Sequence, residues 1–161
     1  MSEKPIMKVR EYCAGDIDTI VKLFHDTIHT VSIADYTPAQ CNAWSPKAAD
    51  LVAWNTKLSE QYALVAEADN RIVGFGSADN TGYFDLLYTH KDYQRRGVAT
   101  LVADDIEHYV LSQGIKAITT NASITARPFF AQRGYRLLAA QTVMCRGQAF
   151  VNFKMQKRIK S

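Results

Sequence analysis

One stretch, Phe84 to Gly114, limits what this 161-residue chain can fold into more than any other. Leu86, Leu87 and Tyr88 suit a buried strand, and from Val98 onward Leu101, Val102, Ile106, Tyr109 and Val110 return at spacings of three and four, which makes one helical face apolar. Gly114 stops that helix. Between strand and helix lies Gln94-Arg95-Arg96-Gly97-Val98-Ala99. Small residues there let a ligand approach the backbone just where a helix begins and its first N–H groups lack partners. The stretch therefore predicts an anion site.

Two common phosphate loops do not fit. A Walker loop needs a Gly-Lys pair separated from a first glycine by four residues, and a dinucleotide fingerprint needs three glycines at fixed spacing; neither occurs. The spacing that does occur, Gln-x-x-Gly-x-Ala after a strand, resembles the coenzyme A pyrophosphate loop of the GNAT superfamily of N-acetyltransferases. A second block, Asn121 to Tyr135, resembles the strand end and helix that follow in that superfamily, there usually closed by Gly-Phe. Together with Tyr36-Thr37-Pro38, Ala43-Trp44 and Cys145-Arg146-Gly147, these blocks make the chain similar to the YafP-type subgroup of bacterial acetyltransferases. The superfamily resemblance covers residues 82–136, and that to the subgroup runs more loosely over most of the chain.

Element signals agree with this order. Ile6 to Cys13 reads as a strand, and Gly15-Asp16 opens a helix with the face Ile17, Ile20, Val21, Phe24 and Ile28. Thr37-Pro38-Ala39-Gln40 carries a full helix start, and Ser45-Pro46 repeats the cap pair before a third helix with Leu51, Trp54 and Leu58 on its face. Tyr62–Ala68 and Arg71–Ala78 form a hairpin through Asp69-Asn70, and Thr81-Gly82 leads into a Tyr83–Thr89 strand. After the central helix come a strand at Ile115–Asn121 and a helix capped by Ser123 or Thr125, with Pro128 favouring Thr125. Gly134 closes that helix so that Tyr135 packs on Phe130, and strands Tyr135–Cys145 and Gln148–Gln156 finish the chain. The resemblance implies an α/β fold: a single GNAT-type domain over residues 1–161, its mixed, mostly antiparallel sheet holding a central parallel, splayed strand pair, with helices on both faces.

Composition narrows the function classes. No apolar run approaches the ~18 residues of a membrane span, and MSEKPIMKVR lacks the apolar core of a secretory signal, so a cytoplasmic location is expected. Cys13, Cys41 and Cys145 are odd in number and far apart, which predicts reduced thiols and no zinc site. Net charge is a mild +3, with basic residues at Arg95-Arg96 and at Lys154, Lys157, Arg158 and Lys160. The basic tail is either a solvated terminus or a contact for an anionic partner. A nucleic-acid partner is disfavoured because aromatic and basic residues do not interleave there.

The resemblance implies acetyl-CoA as co-substrate and an amine as acceptor. Transfer would run directly from the thioester to a primary amine in a ternary complex; a non-catalytic acetyl-CoA sensor is the alternative. Gln94, Arg95, Arg96, Gly97, Val98, Ala99 and Thr100 would hold the pyrophosphate, the backbone of Leu87, Tyr88 and Thr89 the pantetheine arm, and Ser123 another part of the cofactor unless it only caps a helix. An amine of pKa ~10.4 costs ~4–5 kcal/mol to deprotonate at neutral pH, so a carboxylate is wanted, and Asp85 is either that base or a structural ion-pair partner. Strand alternation groups Asp85, Leu87 and Thr89 on one side. Phe130 stands at the cofactor where many relatives carry a tyrosine that protonates the leaving thiolate; either no dedicated acid is needed, a thiolate being a tolerable leaving group, or Tyr88, Tyr135 or water substitutes. A homodimer is one state that the resemblance allows.

Four weaker signals stay open. His25 and His29, one helical turn apart, read as a metal pair, as pocket lining or as a solvated face. Gly74-Phe75-Gly76 reads as a bulge or close packing rather than nucleotide binding. Cys145 is an inert thiol or an acyl acceptor. Tyr36, Trp44 and Trp54 are core residues or walls of the acceptor pocket.

Overall fold

The computed structural model describes residues 6–158. Seven strands form one sheet in the order β1-β2-β3-β4-β5-β7-β6, with β1 at Lys8–Glu11, β2 at Tyr62–Ala68, β3 at Arg71–Ala78, β4 at Tyr83–Thr89, β5 at Ala117–Ala122, β6 at Arg136–Cys145 and β7 at Gln148–Arg158. Every neighbouring pair is antiparallel except β4 and β5. Helices α1 (Ile17–Thr30), α2 (Pro38–Trp44) and α3 (Leu51–Glu60) pack on one face, while α4 (Val98–Ser112) and α5 (Arg127–Gln132) contribute to the core on the other. The expected α/β fold is the one observed.

The parallel pair is the unusual element. Only Tyr83 with Thr119 and Phe84 with Thr120 are in register, after which the two strands separate. On its other side β4 stays paired to β3 as far as Thr89, but Ser77 faces Leu86 while Ala78 faces Phe84, so Asp85 is an extra residue, a bulge. The bulge reverses the alternation that the strand would otherwise keep. Leu86 and Tyr88 pack with the α1–α3 face, whereas Phe84 and Leu87 pack with the α4 face. Asp85 bonds to Gln61 and Lys57 beside α3, so it does not share a side with Leu87 as uninterrupted alternation expects.

Helix α4 lies close to the sheet because β3 carries glycines beneath it. A Cβ on Gly76 would stand 2.8 Å from Val102 Cγ1 and 2.9 Å from the Leu86 carbonyl, and one on Gly74 would collide with Val98 Cγ1. Gly74-Phe75-Gly76 is thus a close-packing device. Phe84, Val98, Val102, Ile106 and Ile118 are fully buried in that interface, each contributing roughly 2 kcal/mol by area.

Most turns form as the residues dictate, and two caps differ. Asp69 and Asn70 take the left-handed conformation expected of them, with φ of 54° and 60°. Thr37 and Gln40 form the full capping box. Helix α3, by contrast, begins at Leu51 with Asp50 accepting from Ala53 N at 3.0 Å, not at Ser45-Pro46. Ser45 is only 4% exposed and is engaged by two histidines of α1, which removes it from capping. At α5 the N-cap position is Ala126 and no side chain caps it: Ser123 Oγ accepts from Ala126 N at 3.0 Å within the preceding turn, while Thr125 donates to Asp35 at 2.7 Å. Tyr135 packs on Phe130 with ring centroids 5.0 Å apart, as the Gly134 turn predicts. The expected first strand is shorter than Ile6–Cys13, and Lys160 of the basic tail lies outside the described residues.

Gly76→Ala should lower stability by about 1–3 kcal/mol in a urea titration, because the added methyl meets a backbone carbonyl that cannot move aside without disturbing the β3–β4 ladder.

Candidate active site

The gap between β4 and β5 presents backbone groups. The Leu86 and Tyr88 carbonyls turn toward β3, close to where Gly76 and Gly74 would bear a Cβ. Strand geometry then turns the N–H and C=O of Leu87, between them, toward the β5 side, where no register partner exists beyond Phe84. Below this gap the chain passes through a 3-10 turn at Lys91–Tyr93 and enters α4. Gly97 is the N-cap with φ of 84°, and a Cβ built there meets nothing within 4 Å. The first intrahelical bond runs from Leu101 N to Gly97 O at 3.0 Å, so the N–H groups of Val98, Ala99 and Thr100 precede it and face outward. Arg95 also takes positive φ, 61°. Gln94 fastens the loop: its Nε2 donates to the Thr89 carbonyl at 2.8 Å and the His90 carbonyl at 3.3 Å.

A cleft of about 360 Å³ runs from this helix N-terminus into the gap. Leu87, Tyr88, Thr89, Gln94, Arg95, Gly97, Val98, Ala99, Thr100 and Ser123 all line it. Two residues expected there stand elsewhere. Arg96 is exposed, its guanidinium 5.4 Å from the Tyr93 ring centroid, and Phe130 is 3% exposed with its ring edge-on to Phe84. Phe130 does line a smaller cavity of about 80 Å³ at the head of the gap, together with Asp85, Leu87, Tyr88, Asn121 and Ser123. Trp44 borders both cavities.

The carboxylate and the phenols fall into distinct environments. Asp85 Oδ2 accepts from Gln61 Nε2 at 2.8 Å and pairs with Lys57 Nζ at 3.3 Å, its side chain 15% exposed. Burial, and next the nearby Asp85 charge, push the Tyr88 hydroxyl well above its ordinary pKa, so it stays protonated. Tyr88 also borders both cavities. Tyr135 is different: its hydroxyl donates to Glu107 Oε2 at 2.9 Å, in a cluster with Arg133 and Lys157, and it borders neither cavity.

The open signals resolve into structure. His25 Nδ1 lies 2.8 Å from Ser45 Oγ, and His29 Nε2 donates to the Ser45 carbonyl at 2.8 Å, so the pair fastens the link after α2 to α1. Among the described residues no group of three or more His, Cys, Asp or Glu is placed to hold a metal. Cys145 Sγ lies 3.5 Å from the Ala43 carbonyl, which also accepts from Arg146 Nη1 at 2.6 Å. Gln40 Nε2 donates to the Ala149 carbonyl at 2.8 Å, so two bonds stitch α2 to the β6–β7 turn. Tyr36 is 7% exposed and its hydroxyl accepts from Ile124 N at 2.8 Å.

Several lining residues escape sequence reading: Thr27, Ser32, Thr125 and Phe129 at the larger cleft, and Lys57 and Gln61 behind Asp85. Only Thr27 carried a signal, as a hydroxyl at an apolar position of the α1 face, where it donates to the Thr89 carbonyl at 2.9 Å.

A parted parallel strand pair thus stands beside a glycine-capped helix N-terminus, with the Asp85 carboxylate and the Tyr88 phenol at the head of the gap. Residues 32–157 match the acetyltransferase (GNAT) domain model. Over 150 residues the chain is 33% identical to the uncharacterized N-acetyltransferase YafP of Escherichia coli (strain K12), covering 93% of this chain and 95% of that protein. A GCN5-related N-acetyltransferase from Rhodopseudomonas palustris superposes with a TM-score of 0.92 at 31% identity, over 99% of this chain and 98% of the other. PaiA N-acetyltransferase from Thermoplasma acidophilum, in complex with coenzyme A, shares the fold at a TM-score of 0.78 and 14% identity, over 95% and 99% of the two chains. The chain belongs to the GNAT family of acetyltransferases and is an enzyme of that family.

Gln94→Ala should speed hydrogen exchange of the Tyr93–Gly97 amides about fivefold to tenfold, the equivalent of losing a hydrogen bond worth about 1 kcal/mol, with little change in α4 itself.

Proposed function

We propose that this chain is a single GNAT domain over residues 1–161 that transfers acetyl from acetyl-CoA directly to a primary amine in a ternary complex. The observation that carries the reading is that two adjoining cavities share Leu87, Tyr88, Trp44 and Ser123 in their walls, the larger reaching the bare N–H groups of Val98, Ala99 and Thr100 and the smaller reaching Asp85. The residues fit the cofactor. Gly97 leaves open space above the helix N-terminus where a diphosphate needs close approach, and Arg95 adds charge beside it.

Acetyl-CoA, when bound, supplies an activated carbonyl on a thiol leaving group. The chain does the rest. Val98, Ala99 and Thr100 donate N–H groups to the diphosphate, and the helix dipole favours its charge. Leu87 donates its N–H to the thioester carbonyl, where negative charge develops as the amine attacks. Asp85 takes a proton from the incoming ammonium, directly or through water, and Gln61 holds that carboxylate in place. Tyr88, kept protonated by its surroundings, donates to the departing sulfur; it supplies the proton that Phe130 cannot. Ser123 accepts from Ala126 N and borders the cleft, where it meets the cofactor. Trp44 shapes the acceptor side.

Calorimetric titration of acetyl-CoA should give micromolar binding to the wild type and binding about a hundredfold weaker, or none, to Gly97→Trp, whose ring would fill the space above the helix; equal affinities would remove the cofactor assignment. With the amine that the wild type turns over fastest, chosen from a panel of polyamines, aminosugars and lysine peptides by thiol release, Asp85→Asn should lower kcat about a hundredfold and Tyr88→Phe about tenfold, with cofactor affinity unchanged.

A further inference from the structure

The carboxylate proposed as base already holds an amine. Lys57 Nζ lies 3.3 Å from Asp85 Oδ2, and Asp85 lines the cavity at the head of the β4–β5 gap. Other lysines of the described residues also sit in ion pairs: Lys22 with Asp26, Lys91 with Asp92 and Lys157 with Glu107. None of those carboxylates borders either cavity of the gap. Lys57 itself lines neither cavity, but its side chain is 49% exposed and joined to Asp85 by this one contact, so its stem is free to rotate about the carboxylate. Gln61 keeps Asp85 fixed during that movement.

We propose that Lys57 is itself an acetyl acceptor, modified in cis by the chain's own active site. The inference rests on the proposed acetyl-CoA-dependent reaction. Lys57 Nζ gives one proton to Asp85, and its freed lone pair forms a bond to the thioester carbonyl carbon. The carbon–sulfur bond breaks and its electron pair leaves with sulfur. The second proton lost from nitrogen ends on sulfur, and Asp85 passes the first to solvent, so the products are an N-acetyl-lysine, free coenzyme A thiol and one proton. Acetylated Lys57 has no charge, which ends its pairing with Asp85 and leaves the carboxylate to an incoming acceptor.

The test incubates the full chain with acetyl-CoA and no added amine, and follows intact mass and peptide maps with time. One acetyl group should appear on Lys57 about tenfold or more faster than on any other lysine, at a rate unchanged when the protein is diluted about tenfold. Lys57→Arg, which keeps a cation beside Asp85, should lose only this fast phase, and Asp85→Asn should slow labelling of Lys57 about tenfold or more. Acetyl-CoA binding by calorimetry without labelling at Lys57 overturns this proposal and leaves the proposed function standing. Labelling of Lys57 at the same rate in Asp85→Asn, spread evenly over the lysines, or rising with protein concentration overturns it as well. Failure to bind acetyl-CoA at all removes both.

Discussion

Everything at this site depends on a ladder that stops early. Two rungs hold β4 to β5, at Tyr83–Thr119 and Phe84–Thr120, and beyond them each strand finds its hydrogen bonds elsewhere. Strand β4 keeps β3 on one side, and β5 keeps β7 along its whole length. The sheet therefore remains continuous and stable while its middle opens. A buried backbone group without a partner costs of the order of a kilocalorie or more, so the opening is tolerable only where water or a ligand can reach it. The Thr120 hydroxyl meets that cost at the fork, donating to the Phe84 carbonyl at 2.8 Å.

The side chains around the opening are held by packing more than by polar contacts. Phe24, Trp44, Trp54, Phe75 and Tyr88 form a connected aromatic cluster, with Phe24 edge-on to Tyr88 at 4.8 Å and to Trp54 at 4.8 Å. Rings packed in this way have few rotamers open to them, so Tyr88 and Trp44 keep their places between the two cavities. On the other face Glu107 draws Arg133, Lys157 and the Tyr135 hydroxyl together and ties α4 to the end of the chain. Burial alone would raise that carboxyl, and its three partners reverse the effect and hold it below its ordinary pKa. One tyrosine is thereby fixed as structure while another, ringed by apolar walls, stays available.

Much of this was legible in local patterns. The strand, the loop from Gln94 and the helix from Val98 are signalled within a few residues of one another, and local conformation decides them: a left-handed Gly97, an apolar face at helical period, a glycine stop. What escaped reading depends on contacts distant in sequence. Alternation along β4 cannot reveal the extra residue at Asp85, because a bulge is defined only against the partner strand. Ser45-Pro46 has the form of a helix start, and it fails as one because His25 and His29, many residues earlier, take its hydroxyl and carbonyl. Gln94 reads as a ligand-facing residue of a motif, yet its amide holds the two ends of the loop together. Lys57 and Gln61 carry no signal at all until α3 packs against the start of β4.

The stitching of α2 to the β6–β7 turn bears on how the enzyme comes into being during synthesis. Arg146 reaches the Ala43 carbonyl and Gln40 the Ala149 carbonyl, contacts that join parts of the chain 103 and 109 residues apart. A ribosome releases the Gln94–Thr100 loop and α4 well before β7 can add itself beside β5. A nascent chain can thus form that loop and helix while α2 still lacks the partners that fix it from β7 and the turn before it. Synthesis of β7, rather than formation of the loop, marks the moment at which α2 gains these two bonds.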